Sequence, residues 1–137
     1  MNKKIISIII AFLAVGCVSF IFSQQKIKLN NVENIAVIAK DENLNVIISA
    51  PDDIEAFRKI LSKRPVSDSH SCPFGYAEIQ VNQNNGSTVF FPATDSCHII
   101  KTDDKYFHLS DSEWESLIQI LEKYDIDRSL LESCKGI

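Results

Sequence analysis

The 137-residue chain has little of what nucleic-acid binders, nucleotide-dependent enzymes and thiol oxidoreductases depend on. Basic residues are outnumbered, 14 Lys+Arg against 18 Asp+Glu, and Lys3 and Lys4 stand ahead of the apolar N-terminal run, so the rest is more acidic still. Such a surface gains nothing from counterion release at a phosphate backbone or an anionic lipid face. The glycines at 16, 75, 86 and 136 are scattered, which excludes a glycine-rich phosphate loop. No Cys-x-x-Cys pair is present for thiol exchange, and no repeat or low-complexity tract interrupts the chain. The length allows one small domain and excludes a multidomain enzyme.

What is present begins with Lys3-Lys4 and the run Ile5 to Phe22, apolar apart from Ser7, Gly16, Cys17 and Ser19. Lysines ahead of such a run mark an export signal, because they hold the amino end inside while the rest is threaded outward. Three fates are open to residues 1–23. Cleavage after Ser23 would remove them. Left in place, the run just reaches the roughly 18 residues needed to anchor in a bilayer. Ala14-Val15-Gly16-Cys17 resembles the lipobox of bacterial lipoproteins, which implies lipidation at Cys17. In each case the body of the protein is expected outside the cytosol, secreted or membrane-anchored, with residues 24–31 as a polar spacer and 32–137 as a single domain.

Within that domain, two apolar runs around Asp41-Glu42-Asn43 read as a hairpin. Pro51 opens a helix, with Asp52 as the expected cap and Glu55 as its capping-box partner, and Pro65 closes the segment. From Gly75 the period becomes two, and Asn85-Gly86 signals a tight hairpin turn, since both residues tolerate the positive φ it needs. Further strands are expected over Thr88 to Phe91, Cys97 to Thr102 and Tyr106 to Leu109. Ser110 and Glu113 form a second capping box ahead of Trp114, Leu117, Ile118, Leu121 and Tyr124 at helical spacing. The expected fold is α+β: a hairpin plus a four-strand meander in an antiparallel sheet, with two helices packed on one face.

This order resembles the sheet-and-helix domains of small exported bacterial proteins, including those with a TATA-binding-protein-like arrangement. The likeness spans Val32 to Tyr124 and includes Cys72-Pro73-Phe74-Gly75 and Asp95-Ser96-Cys97. It implies no reaction, and DNA binding does not carry over given the acidic surface.

Three cysteines lie beyond the signal: Cys72, Cys97 and Cys134. In an oxidising compartment they are expected to pair, with Cys72–Cys97 the favoured bridge and a pair including Cys134 the alternative. The same region offers a second chemistry, since His70, Cys72, Cys97 and His98 are the ligand types of a tetrahedral zinc or a copper ion. Asp95, Ser96 and His98 supply the residue types of a nucleophilic triad but not its required geometry. Phe90 and Phe91 must face opposite sides of the sheet, so an exposed ring beside Tyr76 or Tyr106 would mark a partner surface. Together these features point to a noncatalytic extracytoplasmic binding or interaction module without cofactor, stapled by a disulfide, with a protein or small-molecule partner and no nucleic acid. The alternative is a metal-binding or thiol-active envelope protein built on the His/Cys cluster.

Overall fold

A computed structural model describes residues 25–39, 42–66, 70–95 and 97–132. Residues 1–23 with Cys17, expected from the sequence to be an export segment, and also Ser96 and Cys134, lie outside these residues. Among the described residues no helix is long and apolar enough to cross a membrane.

Six strands form one antiparallel sheet: β1 (Val32–Ala39), β2 (Leu44–Ile48), β3 (Glu78–Gln83), β4 (Gly86–Pro92), β5 (Ile99–Thr102) and β6 (Lys105–His108). Their spatial order is β2-β1-β3-β4-β5-β6, so the expected hairpin and meander join through the β1–β3 pairing. Register explains the two-sided character. Ile35 and Val37 lie opposite Ile48 and Val46 on one side and Val81 and Ile79 on the other, and Phe90 continues the row opposite Ile79. Period-two alternation then turns Ala36, Ile38, Gln80 and Val89 to the other face.

Helices α1 (Pro51–Leu61) and α2 (Asp111–Glu122) and the short α3 (Ser129–Glu132) cover the apolar row. Phe57, Ile60 and Leu61 of α1 join Trp114, Leu117, Ile118 and Leu121 of α2 in one core with Ile35, Val37, Ile79 and Phe90. Phe57, Phe90 and Trp114 are wholly buried. Burial of such side chains contributes about 2 kcal/mol or more each, which is the main source of stability in a domain of this size.

The local expectations divide. Ser110 accepts from the Glu113 backbone N–H while the Glu113 side chain accepts from the Ser110 N–H, completing the second capping box. The first does not form. Ala50 is the N-cap of α1 and has no side-chain bond; Pro51, lacking an N–H, removes one of the donors a cap would serve. Glu55 turns down the helix to take two hydrogen bonds from the Arg58 guanidinium. In the β3–β4 hairpin Gln83 pairs with Gly86, so the turn residues are Asn84 and Asn85. Gly86, at φ 142°, opens β4 instead of sitting within the turn, and Asn85 does not adopt positive φ. Cys97 falls in the loop before β5, not in the strand.

The segment between α1 and β3 reaches the far edge of the sheet. Val66 bridges Tyr106 on β6 through a 2.8 Å backbone bond, and Phe74 then bridges Ala93 just past β4. This path decides what becomes of the outer aromatics. Tyr106 is engaged by the rings of His70 and Phe74 and lies under the Lys101 ammonium, while Tyr76 donates to Glu42 at 2.8 Å. Phe91 is half-buried opposite Lys101. The exposed ring that would have marked a partner surface is therefore not seen among the described residues, and the large hydrophobic side chain exposed among them is Ile47, at 53%.

Candidate functional site

The Phe74–Ala93 bridge places the chain before β3 against the chain after β4. Thr94 reinforces it, its backbone N–H donating to Pro73 O at 3.1 Å and its hydroxyl donating to the same oxygen at 3.4 Å. Ala93 N donates to Ile99 O at 2.8 Å, closing the intervening loop on itself, and His98 holds the positive φ of 52° that the loop needs to re-enter the sheet. Residue 72 on one segment is thereby brought to residues 95 and 97 on the other.

Cys72 and Cys97 approach to 3.1 Å as free thiols, the first half-buried and the second exposed. The Asp95 carboxylate completes the group, with its ligand atom and both sulfurs all within 4.8 Å of one another. Hydrogen bonding to Asp95, then to Cys72, together with burial, pushes the Cys97 thiol up to about 12. Burial pushes the Asp95 carboxyl upward, but bonds from the two thiols and from the backbone N–H groups of Cys97 and Asp95 outweigh it and hold the group below the usual carboxylate range. These donors leave one oxygen unserved: Asp95 Oδ1 is buried and has no hydrogen-bond partner among the described residues. A thiol kept protonated beside a carboxylate is a poor nucleophile at neutral pH, because the thiolate is the attacking species.

The histidines of the expected four-ligand set go elsewhere. His98 turns its Nδ1 to Asp111 Oδ1 at 3.1 Å and stacks on Trp114, centroids 5.0 Å apart and planes within 20°. His70 meets His108, Nε2 to Nε2 at 3.1 Å, and packs edge-on against Tyr106. Neither ring belongs to the cluster around the thiols, so Asp95 stands where His70 and His98 were expected. The spacing Asp95-x-Cys97 was visible in the sequence, and Cys72–Cys97 was the favoured pair; that a carboxylate and not an imidazole joins the two thiols was not. His98 is committed to Asp111 and Trp114, and the serine of the Asp95/Ser96/His98 set lies outside the described residues.

A separate surface concavity of about 180 Å³ lies among Glu42, Leu44, Tyr76, Asp125, Ile126, Asp127, Ser129 and Leu130. It is smaller than the roughly 300 Å³ at which small-molecule sites begin. A comparison of the chain with protein-family models, curated proteins and solved structures finds no match.

Proposed function

We propose that this chain is an exported, noncatalytic interaction module, secreted or held at the membrane by residues 1–23, whose fold is closed by a Cys72–Cys97 disulfide formed after export. The observation that carries this reading is the 3.1 Å approach of the two thiols across the rim of the sheet. Two sulfurs that close need only small side-chain rotations to reach the roughly 2.05 Å of a bond, and an oxidising compartment supplies the acceptor for the two electrons and two protons released. A Cys97 thiol held protonated by Asp95 and Cys72 supports a structural staple over a thiol-exchange enzyme. Partner contact is assigned to the sheet face away from the helices. There Ile47 and Ile38 flank an amide ladder in which Gln80 donates to Asn82 at 2.8 Å and Asn82 to Asn34 at 2.7 Å.

Fractionation of cells expressing the full chain, with alkylation before and after reduction, tests this. The expected result is recovery outside the cytosol with Cys72 and Cys97 blocked until reduced. Cytosolic recovery with both thiols freely alkylated contradicts it.

A further inference from the structure

We propose that Cys72, Asp95 and Cys97, in the reduced chain, form a binding site for a single divalent zinc-type cation. The site uses the same sulfurs as the proposed bridge, but it requires neither export nor oxidation.

The donor set is the first reason. Two thiolates select a soft or borderline ion and exclude calcium and magnesium, which require oxygen ligands; the carboxylate suits zinc. Geometry is the second. In a tetrahedral zinc site with Zn–S near 2.3 Å, two sulfurs lie about 3.8 Å apart. The sulfurs here are at 3.1 Å and the three donors fall within 4.8 Å of one another, so accommodating an ion takes an opening of a fraction of an ångström. The third reason is Asp95 Oδ1, a buried acceptor with no donor among the described residues, which a cation would satisfy.

The scaffold is set before any ion arrives. Pro73 and Thr94 are hydrogen-bonded to each other, and Phe74 bridges Ala93, so the residues flanking the donors are fixed on both segments. Cys97 is exposed, which gives an ion an entry path and leaves the fourth position to water. Charge fits as well. Two thiolates and a carboxylate around a divalent ion leave one net negative charge, whereas without the ion the carboxylate opposes thiol ionisation. Binding therefore drives the thiol protons into solvent as each sulfur–metal bond forms.

The test is titration of the reduced full chain with Co²⁺ and then Zn²⁺. One equivalent of Co²⁺ should give a thiolate-to-metal charge-transfer band with tetrahedral d–d absorption, and Zn²⁺ should abolish it. The band should persist in Cys17→Ser/Cys134→Ser, vanish in Cys72→Ser or Cys97→Ser, and need at least tenfold more metal in Asp95→Asn. In the unmutated reduced chain Zn²⁺ should protect Cys72 and Cys97 from alkylation, which tests the site even where a variant misfolds. Absence of the band, absence of protection, or a loss in His70→Gln or His98→Gln equal to that in Asp95→Asn overturns the assignment. Because the chain is reduced throughout, failure here leaves the disulfide reading standing, and failure of the disulfide leaves this site standing.

Discussion

Tyr124 Oη donates to Asp53 Oδ2 at 2.9 Å, tying the chain just past α2 to the first turn of α1 across 71 positions. Lys123 adds a 2.7 Å ion pair to the other oxygen of the same carboxylate. Asp53 is 8% exposed, so this is a partly desolvated clamp between the two helices. Removing the carboxylate leaves the Tyr124 hydroxyl without its acceptor, and Asp53→Ala should destabilise by about 2 kcal/mol. Lys123→Ala should cost less, since the ammonium is 61% exposed and screened. Urea unfolding of the two variants at neutral pH measures the difference.

The same clamp gives the domain an acid sensitivity of definite sign. The hydrogen bond from Lys123, then that from Tyr124, holds the Asp53 carboxyl below its ordinary value against the opposing effect of burial. A carboxylate depressed on folding contributes stability that is full above its unfolded pKa and is lost as pH falls through the lowered folded value. Stability should therefore decline below about pH 4. Asp53→Asn should flatten that decline; an unchanged pH profile in Asp53→Asn would place the acid sensitivity elsewhere.

Ser110→Ala removes the side-chain acceptor of the Glu113 N–H at the start of α2 and should cost about 1 kcal/mol. Glu113 itself also receives the Lys63 ammonium, and hydrogen bonds from Lys63 and Ser110 keep its carboxyl low although burial pushes it up. Glu113→Ala should therefore cost more than Ser110→Ala, a ranking read directly from chemical denaturation midpoints.

Gly86→Ala tests the backbone alone. A Cβ there would meet nothing within 4 Å, yet φ is 142°. The cost should be about 1 kcal/mol or more, all of it conformational. Gly86→Asn should not rescue it, since Asn tolerates φ near 50–70°, not this extended positive region.

These cases show what was legible in the sequence. The Ser110 box was readable because donor and acceptor lie three residues apart, and the strands of the meander because alternation is local. The Asp52/Glu55 cap was not, because Arg58 competes for Glu55 one turn down and Pro51 reduces the demand for a cap. The role of Asp53 was not legible either, since nothing near it announces Lys123 or Tyr124. The Cys72–Cys97 proximity followed from placing both at strand ends. Replacement of the histidines by Asp95 depended on a positive φ at His98 and on the Trp114 face, and neither has a local signature.

Closure of the roughly 26-residue loop between Cys72 and Cys97 should stabilise the oxidised domain by about 3.5 kcal/mol on chain-entropy grounds. Cys72→Ser/Cys97→Ser should match the reduced parent in stability and fall below the oxidised parent by about that amount.

The most direct measurement is peptide mapping of the chain purified from its native source, alkylated under denaturing conditions without reduction. The account predicts one peptide pair joined through Cys72 and Cys97, about 2 Da lighter than the sum of its reduced halves. Recovery of both cysteines as separate alkylated peptides contradicts it.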